Sequence, residues 1–86
     1  MAGYHLADIA RGDYGYPSKI FEETEELRDA FEQGNPVMVL AELSDVIGAI
    51  EGYLISHHPT ITLDDLIVMK DATLRAFACG DRKDRE

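Results

Sequence analysis

The sequence predicts an all-α protein with three main helices and a short helical arm ahead of them, and three observations predict it. Apolar residues recur at helical spacing in three blocks, and no block shows the sustained alternation of a strand. Each block opens on a helix-start signal: Pro17-Ser18, Asn35-Pro36 and Thr62. Gly34, His57-His58-Pro59 and Gly80 then close them. A chain of 86 residues makes a single domain. It buries only roughly 60–65% of the surface its unfolded form exposes, so association with further copies is the expected extra source of stability.

Residues 1–16 form the arm, with a single helical turn expected over Tyr4 to Ile9 and irregular backbone after it. The helical domain spans 17–80. Its first helix starts at Pro17 and Ser18, with Ser18 as N-cap, and runs to about Gln33. At 100° per residue Ile20, Thr24, Leu27 and Phe31 gather into one stripe, whereas Glu22, Glu25 and Asp29 fall opposite and are expected in solvent. Glu23 and Glu26 fall at the margin of the stripe. A carboxylate there is partly desolvated, which is unfavourable unless it is neutralised or bound. The plain alternative is a solvated acidic face.

Asn35 as N-cap and Pro36 at N1 start the second helix, which runs to about Ser56. One face carries Val39, Leu40, Leu43, Val46, Ile47, Ile50 and Leu54; the other carries Ala41, Ser44, Gly48, Ala49 and Gly52, so both sides are expected to be covered. Glu42 and Asp45 lie on the small-residue side, where another backbone or a ligand can come close. His57 and His58 read as structural partners of the helix C-terminus, because side chains at i, i+1 diverge. Thr62 and Asp65 form a capping box for the third helix, Leu63 to Ala78, whose apolar face is Leu63, Leu66, Ile67, Leu74 and Phe77. Residues 81–86 are a charged tail expected to fray.

A net charge of −9 repels phosphate backbones and argues against a nucleic-acid polymer as partner. No run approaches the roughly 18 consecutive apolar residues of a membrane span, and Met1-Ala2-Gly3-Tyr4-His5 lacks the regions of a signal peptide. The lone Cys79 points to a reducing compartment, and a cytoplasmic location is expected.

The acids carry the chemistry. Glu23 and Glu26, and again Glu42 and Asp45, are i, i+3 pairs, each on one face of its helix. Bringing the faces together places four carboxylates round one point, a repulsion that calls for a cation.

This Glu23-x-x-Glu26, fifteen-residue spacer, Glu42-x-x-Asp45 order resembles the ExxE…ExxD pattern of the MazG-like all-α nucleoside triphosphate pyrophosphohydrolase superfamily. Lys19-Ile20-Phe21-Glu22-Glu23 is similar to that family's lead-in and Leu43-Ser44-Asp45-Val46 to its second acidic run, over residues 17–78 in all. The resemblance implies Mg²⁺-dependent cleavage of a nucleoside triphosphate between the α- and β-phosphates, Mn²⁺ being a possible substitute. It also implies Glu23, Glu26, Glu42 and Asp45 as metal ligands and catalytic groups, and Lys70, Arg75 and Lys19 as phosphate contacts. Lys70-Asp71-Ala72-Thr73-Leu74-Arg75 departs from the family's basic pattern, which bears on substrate choice. A homodimer or homotetramer completing a four-helix-bundle-type core is the implied assembly. Two rivals stand beside it: a catalytically weak metal- or nucleotide-binding module of the same fold, and a purely structural helical dimer.

Overall fold

The computed structural model describes the backbone of residues 5–78 and the side chains of residues 5–74. The arm leads into α1 (Pro17–Glu32), α2 (Pro36–His57) and α3 (Leu63–Ala78), and no strand occurs among the described residues. The all-helical, three-helix expectation therefore holds. Cys79, the closing role of Gly80 and the tail 81–86 lie outside the described residues.

α1 and α2 form a hairpin across a three-residue link, 33–35. Gly34 takes φ +71° there, a left-handed conformation that costs glycine nothing. Asn35 then caps α2, its Oδ1 accepting from Met38 N at 3.1 Å, with Pro36 following in the first turn. The capping box of α3 forms as expected: Thr62 N donates to Asp65 Oδ2 at 2.9 Å and Asp65 N to Thr62 Oγ1 at 3.2 Å. At the end of α2, His57 Nδ1 lies 3.3 Å from Tyr53 O and its ring stacks on Tyr53, so His57 has the structural place assigned to it.

The arm departs from expectation. Residues 5–9 make no helical turn. Leu6 N and Ala7 N instead donate to the Asp29 carboxylate at 3.0 and 3.1 Å, so a side chain takes the amides that a turn would have used. Nor is Ser18 the cap of α1. The helix begins two residues earlier than that cap implies, at Pro17 with Tyr16 in the cap position; the missing N–H of Pro17 is no loss in a first turn, and Ser18 Oγ accepts from Asp13 N at 3.0 Å. Gly12 lies so close to α1 that a Cβ would fall 2.2 Å from Ser18 O. The docked arm overturns a third expectation. Glu22 and Asp29, assigned to solvent, are each only 6% exposed because the arm lies over them, while Glu25 is exposed and paired with Arg28.

The helices use their small residues for contact within the chain. Ala30 on α1 and Ala49 and Gly52 on α2 are buried, and Tyr14 of the arm lies against Gly52. The large apolar face of α2 is left open within the single chain: Leu40 is 67% exposed and Ile47 48%. Phe31 of the α1 stripe is likewise exposed, and Thr24 with it. On α3 only Leu63 and Leu66 are half-buried among the described side chains, so that helix rests on the rest of the fold by its first turns alone.

Candidate metal centre

Packing of α1 on α2 brings the two acid pairs together. Glu23, Glu26, Glu42 and Asp45 each offer an oxygen within 4.8 Å of the others. Glu42 is fully buried, Glu23 is 6% exposed, Glu26 is half-buried and Asp45 lies exposed at the rim. All four acids singled out from the sequence thus meet in one cluster.

Their electrostatics follow from the crowding. Burial, reinforced by the Glu23 carboxylate and by Glu42, pushes the Glu26 carboxyl up to about 7. Asp45 is raised as well, by partial desolvation at the rim and then by Glu23 and Glu42. On the α1 side, Lys19 Nζ bridges Glu23 Oε2 at 3.0 Å and Glu22 Oε1 at 3.2 Å. Those bonds raise the Lys19 amine. Burial works against the Glu22 carboxylate, but the Gly12 N–H at 2.9 Å and Lys19 outweigh it and hold Glu22 low.

One feature was absent from the sequence reading. His5 enters the cluster from the arm with its side chain only 4% exposed. Its Nδ1 lies 2.9 Å from Asp29 Oδ2, and its Nε2 lies 3.1 Å from Glu42 Oε2 and 3.6 Å from Glu26 Oε1. Burial opposes the imidazolium, yet Asp29, Glu42 and Glu26 together raise His5. Asp29, which also accepts from Gln33 Nε2 at 2.8 Å, is held low by these donors against the effect of burial. A solitary histidine in a glycine-containing arm gives no local signal. Nor does Asp29, which the helical wheel places opposite the apolar stripe.

The donor set fits a hard divalent cation. Four carboxylates converge, and Glu23 Oε1 is buried without a hydrogen-bond donor, a state that costs free energy unless a cation reaches it. No family model, curated protein or solved structure matches this chain. Of the basic residues expected at phosphate, Lys19 stands at the cluster, whereas Lys70 is exposed on α3 and pairs with Asp71 at 2.7 Å. The Arg75 side chain lies outside the described ones. No helix among the described residues is long and apolar enough to cross a membrane.

The shifts set the pH response of the metal-free protein. Glu26, Asp45 and His5 are raised above ordinary values of 4.5, 3.8 and 6.5, so what they contribute to stability is complete below those values and is lost as pH rises through the folded ones, about 7 for Glu26. Glu22 and Asp29 are lowered, and their contribution is lost on acidification. Thermal melts in chelator should therefore fall as pH rises from about 5 to 8.5. A midpoint that rises steadily over that interval would contradict mutual repulsion in the cluster.

Proposed function

We propose that this protein is a Mg²⁺-dependent nucleotide pyrophosphohydrolase of MazG-like type, cleaving a nucleoside triphosphate to the monophosphate and pyrophosphate. The observation that supports this reading is the convergence of Glu23, Glu26, Glu42 and Asp45 in the ExxE…ExxD order, with Glu23 and Glu42 buried. These four would hold the ion, which when bound would polarise a phosphate and lower the pKa of an attacking water. The carboxylates, held on two packed helices, fix where the triphosphate can lie and offer an acceptor for the proton that water gives up. Lys19, with its side chain 26% exposed, is the cation at hand for a phosphate oxygen. The test is pyrophosphate release from a panel of nucleoside triphosphates at saturating Mg²⁺; nucleotide binding with no release from any of them would remove the enzymatic reading.

That last outcome would instead favour a module that binds metal or nucleotide without useful turnover. The placement of Lys70 supports it, since that amine pairs with Asp71 on exposed α3.

The same proposal includes self-association. Phe31, Leu40, Leu43 and Ile47 leave the hairpin with an apolar outer face, and Val68, Met69 and Leu74 do the same for α3. A partner's equivalent helices would cover both in a four-helix-bundle-type core. Light scattering should give a dimer or tetramer of the 9.6 kDa chain at micromolar concentration. A folded monomer there would refute the assembly.

A further inference from the structure

We infer that His5 is a metal ligand, completing with Glu26 and Glu42 a second, nitrogen-containing position for a first-row transition ion beside the all-carboxylate one. The inference rests on the metal-centre reading above and extends it to a ligand from outside the two acid motifs.

Three observations carry it. The first is reach: one nitrogen of His5 and one oxygen each of Glu26 and Glu42 lie within 4.8 Å of one another, a set distinct from the four acids but sharing two of them. The two separations from His5 are close to, and in one case slightly wider than, those round a common ion. Metal–ligand bonds near 2.1 Å put neighbouring ligands about 3.0 Å apart in an octahedron and about 3.4 Å apart in a tetrahedron. Nε2 lies 3.1 Å from Glu42 Oε2 and 3.6 Å from Glu26 Oε1.

The second is support. Nδ1 of His5 is 2.9 Å from Asp29 Oδ2, and Asp29 is itself fixed by Leu6 N, Ala7 N and Gln33 Nε2. A histidine that gives its other N–H to an anchored carboxylate is held in one tautomer, with the remaining nitrogen directed at the ion.

The third points to a ligand independently of His5. Glu23 Oε1, on a residue more than nine-tenths buried in the adjoining four-acid set, has no hydrogen-bond donor. Imidazole nitrogen suits Mn²⁺, Fe²⁺, Co²⁺ or Zn²⁺ better than Mg²⁺, so the chain should distinguish these ions where four carboxylates alone would do so less. Glu26 and Glu42, common to both sets, would be shared between two ions.

The test uses Mn²⁺ and Mg²⁺ with the full chain and needs no turnover. Electron spin echo spectra of Mn²⁺ at one and at two equivalents should show ¹⁴N coupling, and His5→Ala should abolish it. By calorimetry the same substitution should weaken Mn²⁺ binding at least on the order of tenfold while changing Mg²⁺ binding by no more than about threefold. Asp45→Asn, which touches only the all-carboxylate set, should show the converse preference. Mn²⁺ bound without nitrogen coupling at either loading overturns the inference and leaves the carboxylate site standing. If neither ion binds the wild-type chain, this inference and the metal-centre reading fall together.

Discussion

Glu23→Gln is expected to lower pyrophosphate release by on the order of 10²-fold or more, while Glu25→Gln changes it by no more than about twofold. The two residues are neighbours in one acidic run, so the contrast isolates helical phase from local charge. Glu23 is buried between α1 and α2, with one oxygen on Lys19 and the other without a donor. Glutamine there keeps the volume but removes the charge that would hold the ion. Glu25 is exposed and pairs with Arg28 on the same helix, an arrangement that contributes little. Glu22→Gln is a separate case, because that carboxylate anchors Gly12 and Lys19; its loss should appear chiefly as reduced stability. Equal losses of activity for the Glu23 and Glu25 substitutions would remove the assignment of the site.

Saturating Mg²⁺ should raise the melting temperature of the wild-type chain by roughly 10 °C or more, and Asp45→Asn should abolish most of that rise. Binding to the folded state alone at about a hundred times the dissociation constant stabilises by about 2.7 kcal/mol, and each kcal/mol moves the midpoint of a domain this small by about 4–8 °C. Asp45 is the most exposed of the four acids, so its removal disturbs packing least. In chelator the variant should melt at or above the wild-type temperature, because the substitution relieves repulsion with Glu23 and Glu42. A variant that melts lower in chelator yet keeps its response to Mg²⁺ would assign Asp45 a structural role instead.

The helices were legible because each start carries a local chemical signature. Asn35-Pro36 and the Thr62/Asp65 box decide their boundaries within a few residues, and the structure has them where the sequence put them. The four acids were legible for a related reason: i, i+3 spacing fixes a shared face, and the hairpin then leaves the two faces little choice but to meet. The burial of Glu22 and Asp29 was not legible. A wheel places residues relative to their own helix and says nothing of a segment arriving from elsewhere, and here the arm inverts the polarity of that side of α1. His5 was hidden for the same reason, its partners lying 24 and 37 positions along the chain.

The way the arm is fastened gives it its own hydrogen-exchange signature. The amides of Leu6, Ala7 and Gly12 are protected by the carboxylates of Asp29 and Glu22, whereas those within the helices are protected by backbone carbonyls. Exchange at the three arm amides therefore follows undocking of the arm, and exchange at the middle of α2 follows opening of the hairpin. Acid that protonates Asp29 and Glu22 weakens the first protection and leaves the acceptors of the second chemically unchanged. The isotope should accordingly enter the arm at a pH where α1 and α2 still hold their protons.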